Sequence, residues 1–148
     1  MLSAVSAHVH GIDINPVAIQ YAWKVYPAPN LGYSVQSVYN LHVFEPNFNT
    51  VVSFETIEHL HDPERFIRAA FQKLTPGGVF IASVPQSEQY ASKWHEWDFT
   101  KEAFLELLSC SFNASDITYY CQKLSAEIIL DGTWSEIHEV HMVVCRKG

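Results

Sequence analysis

Apolar residues recur along this chain in two alternating rhythms, one of buried strands and one of helices. VHGIDI, ending near Ile14, is short and β-branched, as a buried strand would be. Asn15-Pro16 follows, a capping side chain and a proline at the first helical position. Ile19, Ala22, Trp23 and Tyr26 then fall at helical spacing until Pro27 and Pro29 stop the run. Strands are predicted over 33–38 and 50–54. Asp62-Pro63 repeats the cap-and-proline device, and Phe66, Ala70 and Leu74 line one face of the helix it opens, with Ile67 and Phe71 beside them. Thr75-Pro76-Gly77-Gly78 is expected to end that helix, and 79–84 to form the next strand. Thr100 caps a helix bearing Phe104, Leu107 and Leu108. Segments 117–121 and 140–145 read as the last strands, separated by a long connection that loops over a surface. This alternation predicts an α/β sheet, mostly parallel with a late antiparallel strand, in a single domain over residues 1–148.

Composition narrows the functional classes. A hydrophobic share of 48% against 17% charged residues describes a globular, soluble chain rather than a disordered one. A net charge of −7 with no basic stripe argues against nucleic acid as a partner. Cys110, Cys121 and Cys145 form an odd set without paired metal spacing, the pattern of thiols in a reducing compartment. No apolar run approaches the roughly 20 residues that span a membrane. Residues 1–7 lack the charged start and apolar core of a signal peptide. The expected location is cytoplasmic.

The densest chemistry lies in residues 49–85. A strand leads to an acidic-aromatic loop with Glu58-His59-Leu60, then a helix ends in Leu74-x-Pro76-Gly77-Gly78 and a strand follows. This pairing resembles the class I S-adenosylmethionine (SAM) dependent methyltransferases, in particular those acting on small molecules. The resemblance spans 7–112. It implies a Rossmann-like sheet, SAM as cofactor and a small-molecule acceptor.

Asp13 stands at the carboxyl end of the first strand. A carboxylate there can accept two ribose hydroxyls side by side, or it can simply fix the start of the following helix. The resemblance favours ribose binding, with Ile14 against the adenine. Gln36-Ser37-Val38 occupies the positions where relatives carry Gly-Asp-Ala; Ser37 offers an adenine-binding oxygen without the charge. Phe54 is implied to lie along the cofactor, and Glu55 to line the mouth of the site.

Glu58 and His59 read either as an acid-base pair or as polar side chains that fix their own loop, the second being favoured. His59-x-His61 has metal-ligand types but no third ligand at sensible spacing, so no metal is expected. The segment 86–99 is unusually aromatic, with Trp94, Trp97 and Phe99. Its stretch from His95 to Thr100 resembles the loop that closes over the acceptor, making His95 the candidate catalytic base. The alternative is an aromatic plug against the helix at Thr100. Glu136, His138, Glu139 and His141 alternate with apolar residues and are expected on a solvated strand face, as are His8 and His10 around Val9.

Relatives place a strand and an acidic glycine-rich turn before the segment that opens this chain, and residues 1–7 read as the tail of the helix after that turn. The resemblance therefore implies an N-terminally incomplete sheet. Its inner strands must pair directly or be completed by a homo-oligomer or protein partner. Three readings follow: a truncated methyltransferase, weakly active or inactive alone; a non-catalytic module that binds a protein partner; or an enzyme whose missing loop comes from a second polypeptide.

Overall fold

The computed structural model describes residues 2–86, 93–123, 128–130 and 138–148. The chain divides into two compact units, Met1–Val43 and Phe44–Gly148.

In the first unit a 3-10 turn, Leu2–Ala4, precedes strand β1 (Val9–Asp13), helix α1 (Pro16–Val25), strand β2 (Leu31–Val35) and a 3-10 segment, Val38–Val43. The helix starts where its sequence says it should. Asn15 Oδ1 accepts the Val17 amide at 2.9 Å, and Pro16 needs no partner for a missing N–H. Strands β1 and β2 run parallel, from Val9↔Leu31 to Asp13↔Val35. Gly11 is required by its neighbour: a Cβ there would stand 2.8 Å from Tyr33 Cδ1. Trp23 meets the same Tyr33 ring edge-on at 5.3 Å. β2 ends earlier than the predicted 33–38, because local side-chain bonds turn the chain away. Gln36 Oε1 accepts the Ser37 amide at 2.9 Å, and Ser37 Oγ accepts the Tyr39 amide at 3.3 Å.

The second unit contains β3 (Phe48–Phe54), a 3-10 turn (Ile57–His59), α2 (Pro63–Lys73), β4 (Leu74–Pro85), α3 (Lys101–Ser109), a second 3-10 turn (Ala114–Asp116), β5 (Ile117–Lys123), β6 (Ile128–Leu130) and β7 (His138–Arg146). The sheet order is β3-β4-β7-β5-β6. β3 and β4 are parallel, and β7 opposes both β4 and β5, so β3, β4 and β5 share one direction. The late antiparallel strand is therefore present as β7. A further one, β6, opposes β5 within what reads as surface connection in the sequence. Its three residues, Ile-Ile-Leu, are too few to show a period.

The Thr75–Gly78 motif does not end α2 as expected. The helix stops at Lys73, Leu74 is already extended, and the four residues form an irregularity inside β4, where pairing jumps from Phe48↔Leu74 to Thr50↔Val79. Gly77 has φ +73°, and a Cβ on Gly78 would come within 2.8 Å of the Thr75 carbonyl oxygen. Lys147 supplies the cap instead: its Nζ donates to the carbonyls of Phe71 and Leu74 at 2.9 and 2.8 Å. Phe66, Ile67 and Ala70 bury the α2 face against the sheet, Leu74 is buried at the start of β4, and Phe80 stacks on Phe112 at 5.9 Å. Each of the larger of these side chains, Phe66, Ile67, Leu74 and Phe80, contributes about 1.5–3 kcal/mol by leaving water.

His141 corrects another expectation. It is buried, sharing the inward face of β7 with Val143 and Cys145 rather than a solvated one. Glu136 and the side chains of His138 and Glu139 lie outside the described residues. His8 and His10 are exposed, and all three cysteines are free thiols. Among the described residues no helix is long and apolar enough to cross a membrane.

Candidate functional site

In the first unit, the parallel pair β1–β2 brings Asp13 and Ile14 beside the turn that carries Ser37 and Val38; the Gln36 amide donates to the Asp13 carbonyl at 3.0 Å. This is the carboxyl end of a parallel pair, where side chains and helix starts converge on ligands in open α/β sheets. Asp13 does hold its own turn, since Oδ1 accepts the Asn15 amide at 2.8 Å. One oxygen suffices for that, and among the described residues Oδ2 has no hydrogen-bond partner. Ile14 beside it is 74% exposed, an apolar side chain held open to solvent. The Ser37 hydroxyl is already engaged with the Tyr39 amide.

In the second unit, β3 ends in Phe54, 50% exposed, and Glu55, whose φ of 47° is the left-handed conformation that side chains avoid. β4 holds Glu55 in it. The Ser83 hydroxyl donates to Glu55 Oε1 at 2.7 Å, and the Glu55 amide donates to the Ser83 carbonyl at 3.1 Å.

The next turn buries a charge-bearing group. Glu58 is 1% exposed, and its Oε2 has no hydrogen-bond partner among the described residues. Burial pushes its carboxyl above the ordinary range; a backbone hydrogen bond pulls it back, the nearby Glu55 charge pushes up further, and His59 pulls down. His59 shows Nε2 to Glu58 Oε1 at 3.5 Å, while its Nδ1 bonds the Trp94 carbonyl at 2.9 Å.

His95 joins this pair. Its ring stands edge-on to His59 with centroids 4.9 Å apart, and one ligand atom each from Glu58, His59 and His95 lie within 4.8 Å of one another. Backbone docking brings it there: the Glu58 carbonyl accepts the amides of Glu96 and Trp97 at 2.9 and 3.2 Å, and Trp97 Nε1 donates to the Leu60 carbonyl at 2.8 Å. Phe99 is buried and meets Phe104 of α3 at 5.8 Å, so the aromatic-plug reading describes that residue. Trp94 is 71% exposed. His61 turns away, its side chain 92% exposed and 3.2 Å from Glu96.

His59 has a second imidazole beside it, but that imidazole is His95 from beyond β4. No local spacing signals it, because main-chain bonds between two loops create the contact.

Residues 1–129 match the family described as methyltransferase domain. Over 85 residues the chain is 34% identical to a ubiquinone biosynthesis O-methyltransferase of Xanthomonas euvesicatoria, covering 55% of this chain and 36% of that protein. Over 138 residues it is 28% identical to norajmaline N-methyltransferase of Rauvolfia serpentina, covering 85% of this chain and 47% of that one. These matches span about a third to a half of the relatives' length. Among solved structures, the N-methyltransferase NodS of Bradyrhizobium japonicum, in complex with S-adenosylhomocysteine, superposes with a TM-score of 0.67 at 16% identity, over 95% of this chain and 66% of that one.

Proposed function

The chain belongs to the methyltransferase-domain family, whose cofactor is SAM, and we propose that it takes part in methyl transfer from SAM to a small-molecule oxygen or nitrogen acceptor. The observation that carries this reading is the end of β1. An acid with one oxygen fixing its turn and the other open stands next to an isoleucine held 74% exposed. Those two residues fit a ribose and an adenine face. Asp13 Oδ2 would accept a ribose hydroxyl, Ile14 would cover the base, and Ser37 and Val38 would frame it.

Bound SAM supplies an electrophilic methyl on a sulfonium. Phe54 and Glu55 offer an apolar face and a fixed carboxylate at the end of β3, and positioning of the acceptor accounts for much of the rate. Transfer of that methyl to an oxygen or nitrogen would leave the acceptor's proton to be taken up by the protein. His95, half-buried beside His59, is the group that would receive it.

A second reading is supported by the sheet itself. Among the described strands β3 pairs with β4 alone, so its other edge is open to a segment from a partner chain. Calorimetric titration with S-adenosylhomocysteine separates the two. Binding at about micromolar strength, lowered at least about tenfold by Asp13→Ala, is expected for the methyltransferase reading. Unchanged affinity in the variant refutes the role of Asp13, and no binding by a folded chain directs attention to the open edge.

A further inference from the structure

We propose that helix α1 is a self-association surface, through which two copies of this chain meet as a twofold dimer. The case starts from where charge and exposed apolar surface lie. Residues 1–43 hold one acid, Asp13, and one base, Lys24, so the formal net charge of −7 falls on residues 44–148. The same uncharged unit carries ten of the thirteen large apolar side chains that are exposed among the described residues. Single apolar residues on a surface need no partner, but their concentration on a neutral unit marks a contact face.

Three of the ten form an ordered row. Helix α1 rests on β1 and β2, and Ile19 is its buried side chain. Val17, Tyr21 and Val25 follow one another at i, i+4 and i+8, about 120–160° around the helix from Ile19. All three are exposed, Val17 at 67% and Tyr21 at 59%. The row beside them holds Ala18 and Ala22, whose single methyl groups leave a groove next to the ridge. A ridge at i, i+4, i+8 fits the groove between such rows on another helix, with the axes crossing at about −50°.

Charge and shape together select a second copy as the occupant. A twofold axis lays the ridge of each copy in the alanine groove of the other, so one helix supplies both halves of the fit. Two neutral faces approach without repulsion, whereas contact through the second unit sets −7 against −7. A partner recruited by charge would find none to read on α1 beyond Lys24. The ridge is about 12 Å long, well short of the roughly 800 Å² per partner of a standard interface, so a reversible dimer with Kd of about 1–100 μM is expected. The row begins three residues after Ile14, and the dimer draws on none of the residues assigned to the cofactor.

Sedimentation equilibrium of the full chain over about 1–300 μM tests this without cofactor or acceptor. The expected result is a monomer–dimer equilibrium that about 0.5 M NaCl does not weaken, since the contact has no charges to screen. Tyr21→Glu places like charges across the twofold axis and should lower dimer affinity at least about tenfold. Val5→Glu alters a side chain exposed at 84% outside the helix and should leave affinity unchanged. Tyr21→Cys gives a second reading if the charged variant misfolds. Mild oxidation should join its two copies and leave the parent unjoined, because Cys121 and Cys145 are buried and Cys110 is half-buried. A chain that stays monomeric throughout, a dimer equally strong in Tyr21→Glu, or a dimer that salt abolishes would each overturn the proposal.

Discussion

The Ser83 hydroxyl stands 2.7 Å from Glu55 Oε1 and 3.3 Å from the Glu55 amide, so a single β4 side chain holds both ends of the residue at which β3 leaves the sheet. Glu55 is otherwise in a conformation costing about 1–3 kcal/mol. Ser83→Ala is expected to lower stability by about 1–2 kcal/mol. The double variant with Glu55→Ala should lose less than the sum of the two single losses. Urea denaturation of the four proteins measures this, and additivity within about 0.3 kcal/mol would show that the bond contributes nothing.

Tyr119 and His141 are a second pair whose burial predicts a cost. The phenol oxygen lies 2.6 Å from His141 Nδ1, diagonally across β5 and β7, with both side chains buried. Tyr119→Phe keeps the ring but removes this hydrogen bond between two buried side chains, so a loss of about 1–3 kcal/mol is expected. A thermal melt that leaves the variant level with the parent would mean that water replaces the hydroxyl.

Alkaline pH should weaken the second unit through Cys145. Burial pushes its thiol up to about 12 from an ordinary 9.0. Between those values the unfolded thiol has lost its proton and the folded one has kept it. The unfolded state then binds fewer protons, and stability falls as pH rises. Below pH 9 the contribution is constant. Cys145→Ala should shift the whole curve down yet remove its decline between pH 9 and 12. A parallel pair of curves would place the alkaline sensitivity elsewhere.

Asp13→Asn separates the two roles of the β1 terminus. The amide oxygen can still accept the Asn15 amide, so circular dichroism should be unchanged. The lost charge should weaken S-adenosylhomocysteine binding about tenfold, as a charge-assisted bond becomes a neutral one. Equal affinity would leave Asp13 with its turn alone.

Local chemistry was legible where a residue and its partner are close in sequence. Asn15, Asp62 and Thr100 each cap the helix they were expected to start, because an N-cap reaches only two or three residues ahead. The ends of strands were less legible. Leu74 extends straight out of α2 because Phe48 and Lys147, distant in sequence, bond this stretch from either side. The phase of β7 was misread by one position: His141 belongs with Val143 and Cys145, a face that apolar alternation around Val140 disguised. His95 was singled out as a functional residue, but its companions Glu58 and His59 were assigned to their own loop. What unites the three is a backbone contact, and side-chain patterns carry no trace of one.

That contact has a consequence for how such a site can change over time. The Glu58 carbonyl grips the amides of Glu96 and Trp97, groups that every residue except proline possesses. Trp97 adds its indole N–H to the Leu60 carbonyl, but the side chain at 96 is free to drift while the loop stays in register. A lineage could exchange the lining of the mouth, and with it the molecules admitted, one residue at a time without ever losing the seat on which the loop rests.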